Sequence, residues 1–178
     1  AVAWPNPSAL AGDRTEKAED DRSRRLLAPL RICAALTFVV VSLTILAGGF
    51  VAGTRAGLTY NTFPLMDGQL VPDGYFGPLP FLRNLAENIA AVQFNHRTLA
   101  TLSAVAVLVT LVVGFRTPPS LAPRPLLMIL AAALVVQYTL GVFTLLHAVP
   151  VSLGTAHQVC ATLLLTAVLV MLYVTGQQ

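Results

Sequence analysis

Charge is what this sequence has least of. Only 11% of its 178 residues are charged, less than half the roughly 25% of an ordinary soluble domain. The supply is also crowded at one end: six of the eleven Lys and Arg, and five of the eight Asp and Glu, precede Ile32. Beyond that point stand Arg55, Arg83, Arg97, Arg116 and Arg124 with Asp67, Asp73 and Glu87. So few charges cannot clothe a water-exposed surface, which excludes a soluble domain and turns the bulk of the chain toward lipid or protein. Lysine is scarcer still, Lys17 being alone. Without clustered Lys and Arg on a solvated face, the net charge of +3 does not make a nucleic-acid binder. The two cysteines, Cys33 and Cys160, fall inside apolar runs with no metal-type spacing and read as packing residues. A nucleophile triad, a phosphate-binding loop and paired carboxylates are all missing. So is a secretory signal at the start. Ala1 to Trp4 look instead like the tail of an apolar span stopped by Pro5 and Pro7, so the chain is expected to begin within a longer protein.

What the chain has in plenty is apolar sequence, 56% of it, with a mean hydropathy of +0.74. After a polar segment, Ser8 to Arg31, come four apolar runs: Ile32 to Gly53, Asn88 to Phe115, Leu126 to His147 and Leu153 to Thr175. Each has the roughly 20 residues a helix needs to cross the hydrocarbon. Pro118, Pro119, Pro123 and Pro125 separate the second run from the third, and Pro150 the third from the fourth. The expectation is an all-α integral membrane protein. Residues 1–31 would be the end of a preceding span plus a linker, and residues 32–178 an up-down four-helix bundle. Arg22, Arg24, Arg25 and Arg31, with Arg116 and Arg124, place the linker and the Pro-rich turn in the cytoplasm. The segment Thr54 to Glu87 then lies outside. Its aromatics Tyr60, Phe63, Tyr75, Phe76 and Phe81, interleaved with Pro64, Pro72, Pro78 and Pro80, suit either a folded cap at the interface or a lid on the headgroups.

Ionisable residues inside spans are costly and by default mark function. The candidates are His96 with Arg97 in the second span, His157 in the fourth and His147 at the end of the third. His96 and His157 fall near the outer ends of two parallel spans, about 6 Å apart in depth at the helical rise. Those spans are diagonal in an up-down bundle, where two imidazoles can take both axial positions of one haem. Gly154 and Ala161 flank His157 on its face, and Ala100 and Ser103 flank His96. Gly48, Gly49 and Gly53 on the first span, and Gly141 near Tyr138 and Thr144 on the third, add further small residues. Such residues leave a slot, but they also serve ordinary helix packing, and Gly49 to Gly53 is a GxxxG spacing. A membrane histidine can likewise do no more than bond a neighbouring helix. His147, beside Pro150, reads as an interfacial residue. Arg97 could snorkel outward or reach a haem propionate. Glu87 is explained by its place at a helix N-terminus.

Four motifs go further than spacing: Gly-Phe-Val-Ala-Gly-Thr-Arg-Ala-Gly-Leu from Gly49, Tyr-Asn-Thr-Phe-Pro-Leu-Met-Asp-Gly from Tyr60, Gln-Phe-Asn-His-Arg from Gln93 and Gly-Thr-Ala-His-Gln from Gly154. Across residues 32–178 the chain resembles the haem A synthases of proteobacteria and mitochondria. The resemblance implies eight spans in two similar four-helix halves, of which this is the second. It also implies that His96 and His157 are the axial ligands of a haem b. The activity implied for the full-length protein is an oxidoreductase in the bacterial inner membrane. It would oxidise a methyl group of haem O to the formyl group of haem A, for cytochrome c oxidase. The implied partners are the N-terminal half, haem O synthase, an electron donor and the bilayer. The other half, by the same resemblance, carries the substrate site with a glutamate near a histidine. Here Gln93 stands one turn before His96, which fits an electron-transferring, six-coordinate haem, and this half alone is expected to be inactive. The cysteine pair that some bacterial members carry in an outer loop is missing. The alternative is a stand-alone bis-histidine membrane cytochrome or haem-handling assembly protein without oxidase activity.

Overall fold

A computed structural model describes residues 7–77 and 79–177, with side chains from Lys17 onward. Ala1 to Trp4, expected as the tail of a preceding span, lie outside the described residues. Among the described residues there are five helices: α1 (Pro7–Thr54), α2 (Phe81–Glu87), α3 (Ile89–Arg116), α4 (Arg124–Leu146) and α5 (Val151–Gly176), with a 3₁₀ turn at Ala56–Leu58. Four of them, all but α2, are long and apolar enough to cross a membrane.

One element departs from expectation. The polar segment expected as a linker is helical, and α1 runs through it without a break. The physical reason is local: the stretch is rich in strong helix formers, Ala, Leu, Glu and Arg. Asp20 pairs with Arg24 one turn later at 3.0 Å, and Arg25 Nε donates to the Asp21 carbonyl at 3.1 Å. Pro29 sits inside this helix and removes one backbone bond without ending it.

The bundle follows from a stripe of 3-and-4 spacing. Leu27, Leu30, Ala34, Thr37 and Val41 are buried along α1, and the same spacing continues to Thr44 and Gly48. This face packs on α3 and α5, and α4 also packs on α3 and α5. The helices α3 and α5 therefore lie diagonally. The opposite face of α1 is apolar but exposed: Ile32 is 60% and Leu36 61% accessible, as are Val135 on α4 (66%) and Tyr173 on α5 (68%). An outer surface this apolar is solvated by lipid, and the fold is an all-α membrane bundle.

Its interior is uneven. The large buried apolar side chains, Leu27, Leu30, Leu127, Leu130, Val168 and Met171 among them, fill the half of the bundle nearest the Pro-rich turn. Arg124 closes that end, donating to the carbonyls of Gly114 (3.1 Å) and Thr117 (2.8 Å) at the C-terminus of α3. Toward the other end the α1–α3 seam turns polar. Thr110 spends its hydroxyl proton on the Ala106 carbonyl (2.9 Å), so Thr37 donates to Thr110 at 2.8 Å. Thr44 bonds the Val40 carbonyl at 2.8 Å in the same way, and Ser103 donates to Thr44 at 2.7 Å. Seven residues separate the rungs on each helix.

The segment between α1 and α3 is folded onto the bundle. Asn61 donates to the carbonyls of Gly57 (2.7 Å) and Leu145 (2.8 Å), and Tyr75 donates to Asn95 at 3.1 Å while lying edge-on to Phe94. Asn88 starts α3 by accepting from Ala90 N at 3.0 Å, and its amide group ties back to the Gly74 carbonyl at 2.7 Å. Val149, in the tight turn before Pro150, has φ of 54°, a costly conformation for a β-branched residue. Its side chain fills the space over Gly57, where an added Cβ would come within 2.7 Å of it.

Candidate functional site

Both diagonal helices carry one histidine into the half of the bundle away from the Pro-rich turn, beyond the apolar core cluster. His96 on α3 has its Nδ1 3.2 Å from the Thr44 carbonyl. A carbonyl can only accept, so Nδ1 carries the proton and Nε2 is left with a free lone pair. The ring lies on Gly48 of α1, where an added Cβ would be 3.2 Å from its Cε1. His157 on α5 lies in the same way on Gly141 of α4, with a Cβ there 2.9 Å from Cε1. Its Nε2 is 3.4 Å from the Gln137 amide nitrogen.

Buried polar atoms are normally paired. Among the described residues, those without a partner are Gln93 Oε1, Arg97 Nε, Gln137 Oε1, Thr144 Oγ1 and His157 Nδ1. Every one belongs to a histidine of the pair or to a residue on the faces around them. Gln93 is one turn before His96, Arg97 follows it, and Gln137 and Thr144 flank Gly141 on α4. Unsatisfied polarity confined to one place, over small residues, is the mark of a site built for something else to complete it.

The donor set says what kind of group fits. No cluster of three or more His, Cys, Asp or Glu that could hold an ion occurs among the described residues. Two imidazoles alone do not saturate a bare cation. They do suit a metal that brings its own equatorial ligands, and a glycine beneath each ring lets the imidazole lie flat against the neighbouring helix. The residues present therefore fit a haem.

Other residues singled out in the sequence take different places. Arg97 donates to the carbonyls of Thr62 (2.8 Å), Leu65 (3.5 Å) and Tyr60, so its guanidinium ties the stretch Tyr60 to Leu65 to α3 next to His96. His147 caps α4, with Nδ1 2.8 Å from the Phe143 carbonyl and its ring stacked on Phe143, exposed and apart from the pair. Ser103 is filled by its bond to Thr44, so it opens no slot. Gly49 and Gly53 have nothing within 4 Å of an added Cβ, and the GxxxG spacing makes no helix contact within the described residues. Gly48 is the close-packed glycine of that run. Gly154 faces Val149 at 3.7 Å. Cys33 and Cys160 are half-buried free thiols. Glu87 ends α2 just before α3 and clamps Arg83 at 2.7 Å; that hydrogen bond, more than the charge, holds its carboxyl below the usual range. Gln137 was not among the sequence candidates, although a carboxamide inside an apolar run is itself an anomaly.

Comparison with known proteins gives the same reading from a different direction. A family model described as COX15-CtaA, cytochrome oxidase assembly protein, matches residues 7–169. The chain is 50% identical over 144 residues to a haem A synthase of Granulibacter bethesdensis, covering 81% of this chain and 37% of that protein. It is 45% identical to a haem A synthase of Nitrosospira multiformis (82% and 40%) and 43% identical to the haem A synthase COX15 of Arabidopsis thaliana (75% and 29%). No solved structure matches. The chain thus spans well under half the length of these curated relatives. With a family match over nearly its whole length, this bundle belongs to the COX15-CtaA family of cytochrome oxidase assembly proteins.

Proposed function

We propose that the chain is the C-terminal, haem b-binding half of a haem A synthase, with His96 and His157 as the axial ligands. The observation that carries this reading is the confinement of the unpartnered buried polar atoms to the surroundings of two histidines on diagonal helices. Thr44 fixes the proton of His96 on Nδ1 and so aims Nε2 at the space between the helices. Gly48 and Gly141 seat the two rings against the neighbouring helices. Arg97 places a positive charge at the outer edge of that space, next to where a propionate would lie, while it ties the stretch Tyr60 to Leu65 to α3 next to His96. Haem bound by two imidazoles supplies a one-electron carrier. With His96 and His157 both committed to holding it, this half would pass electrons rather than activate oxygen, in keeping with Gln93 where an acid would be needed.

In the full-length protein the companion half, with four more spans, binds haem O, and the pair oxidises its methyl group to the formyl of haem A. An electron donor and the haem O synthase are its partners. The Arg-rich end of α1 and the Arg116–Arg124 turn lie on the cytoplasmic side of the bacterial inner membrane, and the aromatic outer segment is periplasmic. The test is a reduced-minus-oxidised optical spectrum of the purified protein beside His96→Ala and His157→Ala. Wild type should show low-spin b-type bands that each substitution removes. Bands that survive both would end the ligand assignment.

A further inference from the structure

Two grooves of similar size run along the outside of the bundle, and one of them carries a charge. The first, about 410 Å³, lies between α3 and α4, with Ala104, Leu108, Leu134 and Tyr138 in its walls and no charged residue. The second, about 440 Å³, lies between α1 and α5 and is lined by Ala28, Arg31, Ile32, Ala35 and Leu172. It follows from the sequence of α1. Ala28, Arg31 and Ala35 recur at 3-and-4 spacing and share one face. The small alanines on either side of the arginine leave a trough, and Leu172 of α5 forms its far wall.

The charge in this groove is uncompensated. Arg24, two turns earlier on the same face, spends its charge on Asp20 at 3.0 Å. Arg25, Arg97 and Arg124 each donate to backbone carbonyls. Arg31 pairs with no carboxylate among the described residues. Its depth is fixed by α5: Nη2 lies 3.8 Å from where a Cβ would stand on Gly176, the last residue of that helix. The guanidinium is thus level with the end of a membrane-spanning helix, where headgroup phosphates lie, and Ile32, Ala35 and Leu172 lead from it toward the hydrocarbon. The C-terminal dipole of α5 favours a cation at this place, but a dipole needs no apolar trough beside it.

We propose that the α1–α5 groove binds one anionic phospholipid, with its phosphate on Arg31 and an acyl chain along Ile32, Ala35 and Leu172. The fork of a guanidinium meets two phosphate oxygens at once, and an unpaired one at the mouth of an apolar trough matches an anionic head on an apolar tail. Basic pockets between membrane helices take anionic headgroups in this way. The site is independent of the haem reading. Its test is native mass spectrometry of the full-length protein, released from detergent holding equal amounts of dioleoyl phosphatidylglycerol and dioleoyl phosphatidylcholine. Wild type should retain one phosphatidylglycerol, preferred over phosphatidylcholine roughly fivefold, the weight of one arginine near a headgroup. Arg31→Gln should abolish that preference, and Arg31→Lys, which keeps the charge without the fork, should restore part of it. Ala35→Trp fills the trough, leaves the charge in place and should also lose the lipid; Ile32→Trp replaces it if it does not elute as a folded, monodisperse protein. Two controls should keep the preference: Ala104→Trp, which fills the uncharged groove, and Arg22→Gln, on the opposite face of α1. No preference in wild type, or one that Arg31→Gln leaves intact, overturns the site. Loss in Arg31→Gln with full retention in Ala35→Trp makes Arg31 a plain surface charge and overturns the groove.

Discussion

The glycines beneath the two rings make a graded series of substitutions possible. An alanine Cβ at Gly141 would lie 2.9 Å from Cε1 of His157, at Gly48 3.2 Å from Cε1 of His96, and at Gly49 more than 4 Å from any neighbour. Carbon atoms rest at about 3.5 Å or beyond, so the His157 ring must retreat by roughly 0.6 Å and the His96 ring by roughly 0.3 Å. Against this, alanine gains up to about 1 kcal/mol over glycine within a helix, while overpacking costs about 1–3 kcal/mol. Gly49→Ala should thus be neutral or stabilising, Gly48→Ala close to neutral, and Gly141→Ala destabilising by about 1–2 kcal/mol. The ligation readout is sharper, because ligand distances tolerate only about 0.2 Å. Haem content per protein and the low-spin resonance signal should fall in the order Gly49→Ala, Gly48→Ala, Gly141→Ala, with most of the loss at the last. Thermal unfolding in detergent, followed with and without haem, separates packing from ligation. A Gly141→Ala protein with full haem content and an unaltered low-spin signal would refute the idea that the glycine sets the ring's position.

Replacing Arg97 by Met removes a charged donor from the carbonyls of Tyr60, Thr62 and Leu65 and should lower the local opening free energy of the outer segment by roughly 2 kcal/mol, read as faster amide exchange over residues 57–70 while α4 and α5 stay protected. Asn88→Ala removes the cap of α3 and the tie to Gly74; about 1 kcal/mol of unfolding free energy should be lost, and Asn88→Asp, which keeps the cap, should recover part of it. Thr110→Val strands the Thr37 hydroxyl, and a double-mutant cycle with Thr37→Val should give a coupling near 0.6 kcal/mol, the usual scale for such bonds between membrane helices; a coupling of zero would show that the rung adds nothing. The Glu87 carboxyl is held below its ordinary pKa by Arg83, so its contribution is present above the unfolded value and is lost as pH falls through the folded one. The protection of α2 amides, taken relative to their intrinsic exchange rate at each pH, should accordingly fall on acidification, and Glu87→Gln should abolish that loss.

The fold was legible because the solvent dictates it. Apolar runs of membrane length leave a chain no structure but helices, and prolines mark where these end. The same logic hid the helical course of residues 7–31, since polar composition signals exposure and not the loss of a helix; the i,i+4 pair of Asp20 and Arg24 was the cue. At the site, His96 and His157 stood out because ionisable groups are rare in spans, and spacing alone placed them on diagonal helices. What their rings meet was not legible, for two different reasons. The Thr44 carbonyl is a backbone group, and no side-chain pattern announces which carbonyl a ring will meet. Gln137 did announce itself, as the lone carboxamide of its span, but a search confined to ionisable residues passes over it. Glycine patterns misled in the same way: Gly49 and Gly53 have the spacing of a packing motif, yet the contact is made by Gly48, the residue in register with Thr37, Val41 and Thr44. In a bundle that carries a ligand, register on the buried seam predicts which small residue matters, and that register is set by the apolar half of the helix two turns away.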